Sequence, residues 1–395
     1  MQVTNKNSPS SDSTMRASVL TAVRRLEVRR LPAPTISDYD VLVRVAAVGL
    51  CGTDFHIYAG HSNYNTDQRG TPIPLNQHPQ ILGHEITGTI EEVGREVAGL
   101  RVGDRVAIDQ GLNCMSQRRS PLCEYCSTGD SHQCEFYLEH GITGLPGGLA
   151  DFIGVPGINA VRIDSDISWS EAALTEPLGC IVHTMNAIER AGGGRYAVKA
   201  KDAERRVKTV LVCGAGPAGL LFTQYLRNVI GFEGELIVAE PNAGKRELIA
   251  GFGGRPLDPQ SDDLVGSVQE ITQGRKVELL IEAAGAARLF TQIPGLIRKQ
   301  ATLVLYGHGQ SGVDLGVLNN IQFLEPTIVA SVGASGGFDS DGRPSTYCQA
   351  LSLLEEGRIR VAPFITHSYT TLEAIPQAFA EDHRSSGYVK GVAIL

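Results

Sequence analysis

Thr209-Val-Leu-Val-Cys213 runs directly into Gly214-Ala-Gly216-Pro-Ala-Gly219 and then into Leu220-Leu-Phe-Thr-Gln-Tyr-Leu226. A short run that is apolar after its first residue fits a strand buried on both faces, and the apolar stretch after the glycines fits a helix. Of the three glycines, the first permits a tight turn. The second lets backbone approach a pyrophosphate, and the third lets helix pack closely on strand. The N–H groups at the helix start complete an anion site. Three more apolar runs follow, at Glu235–Ala239, Val277–Ile281 and Ala301–Tyr306, with helix-forming stretches between them. This alternation predicts a parallel sheet with helical crossovers. Glu240 follows the second run directly, 26 residues after Gly214. A carboxylate there accepts both ribose hydroxyls of a dinucleotide and repels a 2′-phosphate. NAD is therefore the expected cofactor. Lys245 and Arg246, five and six residues further on, leave NADP open.

Upstream the pattern is different. Val41–Val48, Thr87–Gly94 and Arg105–Ile108 are short β-rich runs that follow one another without helical periods. They predict an antiparallel, barrel-like domain. Ser168 or Ser170 can cap a helix running to Ile188, with Glu171 in its first turn. Residues 192–208, rich in glycine and then charge, read as an exposed connection. The expected organisation is a disordered polar tail over 1–14, a β domain over 15–188, a dinucleotide domain over 189–335 and a return to the first domain over 336–395. The tail has neither the apolar core of a signal peptide nor the basic amphipathic pattern of a transit peptide. A reducing cytoplasmic setting is expected, where eight cysteines serve as metal ligands or buried thiols before disulfides.

Two groups of residues have the chemistry of metal ligands. The first is spread over three segments: Cys51 in Cys51-Gly-Thr53-Asp54-Phe-His56, His84 and Glu85 in Gly83-His84-Glu85, and Glu176 in Glu176-Pro-Leu-Gly179. A thiolate, an imidazole and one or two carboxylates converging from separate loops suit zinc with an exchangeable position. Each alone has an ordinary explanation as a buried thiol, a core hydrogen-bonder or a helix-face charge; the joint occurrence carries the reading. The second group is Cys114, Cys123, Cys126 and Cys134, in which Cys123 and Cys126 have knuckle spacing. Four thiolates make a closed structural site. Cys180, Cys213 and Cys348 lie in apolar contexts and read as packing residues.

Charge removes other classes. With 35 basic and 43 acidic side chains the net charge is −8, which argues against nucleic acid and anionic membrane as partners. A zinc-knuckle nucleic-acid binder would need a basic face with stacking aromatics; the cysteine loop offers only Arg118 and Arg119, with Tyr125 and Phe136. No apolar run approaches the roughly 18 residues of a membrane span. A non-catalytic dinucleotide sensor would not need Cys51, His84 and Glu176.

Taken together and in this order, these motifs resemble the zinc-dependent medium-chain alcohol and polyol dehydrogenases, over about Met15 to Leu395. The resemblance implies an α/β plus β fold: a GroES-like barrel catalytic domain interrupted by an inserted Rossmann domain. It implies catalytic zinc at Cys51 and His84, with Glu85 and Glu176 as ligand or near-ligand carboxylates, and structural zinc in the cysteine lobe. Glu176 stands where the alcohol branch has cysteine, which points to the polyol side. Thr53 resembles the hydroxyl that takes the substrate proton, His56 the relay to solvent, and Asp54 the carboxylate orienting His84. The implied reaction is oxidation of a secondary alcohol of a polyol or sugar, with hydride passing to the nicotinamide. The threonine 3-dehydrogenase branch and the sugar 1-dehydrogenase branch are alternatives. A homodimer or homotetramer with Rossmann domains edge to edge is also implied. One departure concerns the lobe: the family's first cysteine position is Ser120 here, so Cys114 serves only if Met115–Ser120 loops out.

Overall fold

In the computed structural model, residues 14–191, 194–260, 262–308 and 312–395 are described. The polar tail expected over 1–14 lies outside them, except for Thr14, which begins the first strand. Contacts divide the chain into two units. One runs through Gly179 and takes in Ala334–Glu355 and Ile365–Leu395; the other comprises Cys180–Gly333 and Glu356–Phe364. The boundary falls inside the helix Thr175–Arg190.

The spine of the first unit is the strand Asp40–Leu50, whose valines alternate into the core with Ile86, Ile90, Val106 and Ile153. One edge of it pairs antiparallel with Glu85–Val93, across two register shifts. Its other edge is divided: Asp40–Arg44 pair with Phe152–Pro156, and Ala47–Leu50 pair with Lys390–Ile394. The sheet continues through Arg105–Ile108 to Ala160–Arg162 on one side and through Ile365–Tyr369 on the other. The expected GroES-like, barrel-like arrangement is present; among the described residues its two end strands do not pair with each other, so the sheet is not closed. A separate sheet joins Arg25–Pro32, Thr14–Ala22 and Gln80–Ile81.

In the second unit the four predicted apolar runs form strands, and two short ones join them. The order is Arg255–Leu257, Glu235–Ala239, Thr209–Cys213, Val277–Glu282, Ile297–Leu305, Thr327–Ala330, all parallel. The helix Pro217–Gln224 opens with proline in its first turn, where the missing N–H costs nothing. It continues as a π-helical turn, Tyr225–Ile230. Gly214 has φ +99°, and a Cβ at Gly219 would lie 1.9 Å from the Gly214 carbonyl oxygen. The turn and the close helix–strand packing assigned to these glycines are therefore both present.

Candidate active site

Cys51 caps the helix Gly52–Ala59, and Asp54 in its first turn ties this helix to the Gly83-His84 turn. Asp54 Oδ2 accepts the Cys51 N–H at 2.9 Å, and Oδ1 accepts the Gly83 N–H at 3.0 Å. His84 Nδ1 faces the same Oδ1 at 3.4 Å. Burial works to raise the Asp54 pKa, but His84 and the two backbone donors outweigh it and hold the carboxyl below its ordinary value. Burial likewise works against a charged His84, yet Asp54 and Cys51 hold its pKa well above that of free imidazole. One carboxylate thus brings two distant segments together. With Nδ1 turned to Asp54, Nε2 is the nitrogen that would ligate a metal.

The ligand atoms of Cys51, His84 and Glu85 all lie within 4.8 Å of one another. Glu85 sits opposite Gly49 in the sheet. A Cβ at Gly49 would lie 1.9 Å from Glu85 Oε2, so glycine there leaves the carboxylate room. On its far side Lys390 Nζ donates to Glu85 Oε1 at 2.5 Å and to the Leu50 carbonyl at 3.0 Å. Glu85 Oε2 is buried and has no hydrogen-bond partner among the described residues. An unpartnered carboxylate oxygen beside a thiol and an imidazole is a donor set that fits zinc. Thr53 Oγ1 is 3.8 Å from Cys51 Sγ. His56 follows three residues later, on the same helix face, with its ring 5.9 Å from that of His61. Glu176, in the first turn of Thr175–Arg190, is buried but stands outside the group of three; its Oε1 accepts from Gln110 Nε2 at 3.1 Å.

The four lobe cysteines form the second group, with ligand atoms again within 4.8 Å. Cys114 Sγ is 3.6 Å and Cys123 Sγ 3.9 Å from Cys134 Sγ. A tetrahedron with zinc–sulfur bonds of about 2.3 Å has sulfur–sulfur edges of about 3.8 Å. Cys114 belongs to the cluster because residues 115–120 loop out. Asn113 Oδ1 accepts the Met115 N–H, and Arg118 takes a left-handed φ of 52°. The Cys126 N–H and neighbouring donors pull the Cys123 thiol down to about 6, whereas burial pushes Cys126 and Cys134 up. A divalent cation would displace the protons that remain. All eight cysteines are free of disulfides.

In the second unit, a cavity of about 440 Å³ is lined by Gly214, Gly216, Glu240, Pro241, Lys245 and Arg288, among others. Glu240 Oε2 accepts the Ala215 N–H at 2.8 Å and Oε1 the Asn242 N–H at 2.9 Å, which fixes the carboxylate beside the glycine turn. Arg246 is engaged elsewhere: it donates to the Glu240 and Pro241 carbonyls and pairs with Asp258 at 3.1 Å. Lys245 lines the cavity. The sequence reading missed Lys390 and Gln110. A lone cation in the apolar run Tyr388–Leu395 was a signal for the first; nothing marked the second.

A dinucleotide-type unit and a sulfur–nitrogen–oxygen cluster in one chain define the class of metal-dependent dehydrogenases. The alcohol dehydrogenase GroES-like domain matches residues 37–165, and the zinc-binding dehydrogenase domain matches residues 217–356, together well over half the chain. The chain belongs to the zinc-dependent medium-chain dehydrogenase family. It is 29% identical over 354 residues to the L-threonine 3-dehydrogenase of Pyrococcus furiosus, covering 89% of this chain and 90% of that one. A Sinorhizobium meliloti 1021 protein assigned as a zinc-binding dehydrogenase and solved with NADP has a TM-score of 0.77 at 26% identity, covering 97% and 100% of the two chains. An Escherichia coli CFT073 alcohol dehydrogenase solved with NADH has a TM-score of 0.75 at 26% identity, with the same coverage. Among the described residues, no helix is long and apolar enough to cross a membrane.

Proposed function

We propose that this chain is a zinc- and NAD-dependent dehydrogenase that oxidises the secondary alcohol of a small polar substrate, L-threonine ahead of polyols and sugars. The cluster of Cys51, His84 and Glu85, with its unpartnered Glu85 oxygen, carries the reading. Polyols and sugars were the first expectation; similarity to threonine dehydrogenases moves threonine ahead. When bound, zinc supplies Lewis acidity to the substrate hydroxyl and the dinucleotide supplies the hydride acceptor.

The chain's own groups do the rest. Thr53 Oγ1, close to Cys51, takes up the hydroxyl proton, and His56 passes it to solvent. Asp54 fixes His84, so the ligand need not reorganise during turnover. Lys390 offsets the charge of Glu85, which leaves the centre more electrophilic than a thiolate and a free carboxylate would. Glu240 holds the adenosine ribose and selects NAD. The cysteine lobe holds a structural zinc, and its free thiols fit a reducing compartment. Leu318, Phe323 and Ile328 are exposed near the edge strand Thr327–Ala330, which supports a homo-oligomer joined at that edge.

The test is a panel of L-threonine, sorbitol, xylitol and glucose with NAD or NADP on zinc-loaded protein, followed by absorbance of the reduced cofactor. Turnover with NAD is expected, fastest on threonine. Failure on every member overturns the assignment.

A further inference from the structure

The charged segment after the helix Thr175–Arg190 is largely exposed, as its composition suggests, but it is tied together. The Ala197 N–H donates to the Arg205 carbonyl at 2.9 Å, and the Val207 N–H donates to the Ala197 carbonyl at 3.2 Å. Two arginines close it further. Arg205 donates from Nε to the Arg195 carbonyl at 3.2 Å and from Nη2 to the Gly194 carbonyl at 3.3 Å. Arg206 donates to the carbonyls of Ala200 and Lys201, at 2.9 and 3.1 Å. Compact surface loops packed by their own side chains frequently carry function.

This loop borders a cavity of about 390 Å³ whose lining residues all belong to the second unit. Met185, Ile188, Val207, Ile230 and Leu279 give it an apolar wall, and Arg205, Thr302 and Thr327 bring polar groups to it. Thr302 and Thr327 are register partners on neighbouring parallel strands. A Cβ at Gly194 would lie 3.8 Å from Thr302 Oγ1 and 3.4 Å from Thr327 Oγ1. The two hydroxyls therefore converge on the residue whose carbonyl Arg205 holds. Thr302 is only 6% exposed, and its hydroxyl makes no hydrogen bond among the described residues. A buried hydroxyl without a partner is costly unless a group in the cavity meets it. The other charged groups on the wall, Glu189 and Lys199, pair with each other at 3.7 Å. An adjoining cleft adds Arg195 and Glu325, which are of opposite sign, so the charge at the polar end is that of Arg205.

The cavity is separate from the dinucleotide site. The glycine turn and Glu240 stand at the C-terminal ends of the parallel strands, where ligands of such sheets ordinarily bind. At this cavity Val207 precedes Thr209–Cys213, Leu279 is near the start of Val277–Glu282, and Thr327 opens Thr327–Ala330. We infer that it is a second ligand site, built for a small aliphatic monocarboxylate. The apolar wall takes the hydrocarbon chain and disfavours sugars, whose hydroxyls would lie unpaired against it. One guanidinium with two nitrogens already engaged, beside two hydroxyls, matches the single charge of a carboxylate. At about 390 Å³ the space is near the lower bound of small-molecule sites, about 300–1,000 Å³. None of these residues belongs to the proposed hydride chemistry, so the inference stands apart from it.

The test is calorimetric titration of hexanoate into the full-length, zinc-loaded protein saturated with NADH, so that the dinucleotide site is filled. One saturable site per chain is expected, with 1-hexanol bound about tenfold more weakly. Arg205→Gln removes the charge, and Thr302→Val removes a hydroxyl while keeping the side-chain shape. Each is expected to weaken hexanoate about tenfold, with NADH affinity unchanged. Cys51→Ser is expected to bind hexanoate as wild type does; loss of binding in that protein places the ligand at the metal centre and overturns the inference. Absence of saturable binding at millimolar hexanoate overturns it too, as does wild-type binding that neither Arg205→Gln nor Thr302→Val weakens. Equal affinity for 1-hexanol overturns the assignment of a carboxylate.

Discussion

Lys390 and Glu85 show how much a single buried pair decides. Both are essentially excluded from solvent and sit 2.5 Å apart. Lys390→Ala would leave the Glu85 carboxylate buried and unpaired, at an expected cost of about 3–5 kcal/mol, read as a lower denaturation midpoint. Burial works to lower the Lys390 pKa, but Glu85 outweighs it and holds it above the ordinary 10.5. A folded value raised above the unfolded one stabilises below the unfolded pKa and loses that contribution as pH rises through the folded value. The pair is therefore intact at neutral pH and weakens only beyond 10.5, so the alkaline unfolding limb of wild type should be steeper than that of K390A. Glu240→Ala removes the fixed carboxylate by the glycine turn while Lys245 remains. NADH affinity should fall about tenfold, or 1.4 kcal/mol, and the preference should move toward NADP; fluorescence titration with both cofactors checks this. Glu240 was legible because its distance from Gly214 is set by the βαβ unit. Gln110 was not, because a buried amide in an irregular segment leaves no periodic trace.

At the level of elements, the parallel sheet was readable from four apolar runs, since strands buried on both faces carry no polar alternation. The strand order of the first unit's sheet was not. Its path depends on which strands share the two halves of Asp40–Leu50, and such long-range pairing is not written in local sequence. The lobe was readable in part: Cys123 and Cys126 by spacing, Cys114 only once residues 115–120 are seen to loop out. Cys126→Ser should lose one zinc per chain and lower the thermal midpoint, because a closed thiolate site stabilises the loop that it closes. Elemental analysis beside calorimetry would show whether metal and midpoint fall together; an unchanged midpoint would separate the lobe from folding.

For the whole molecule, the exposed Phe323 and Ile328 beside an edge strand form a surface that a second copy would cover. Ile328→Glu should convert a dimer or tetramer into smaller species in analytical ultracentrifugation, and a monomeric wild type would remove that expectation. The family was legible in the sequence because its motifs pair chemistry with order; of the expected metal ligands, Cys51, His84, Glu85 and the four lobe cysteines lie in two groups, and Glu176 stands outside them. The substrate was not legible, since it depends on cleft shape. The most direct measurement is zinc content, NADH binding and alcohol turnover on the same preparations of wild type and Cys51→Ser. Two zincs per chain falling to one, with NADH affinity kept and turnover gone, is the expected result. A Cys51→Ser protein that still oxidises substrate at the wild-type rate would contradict the assignment of hydride chemistry to this centre.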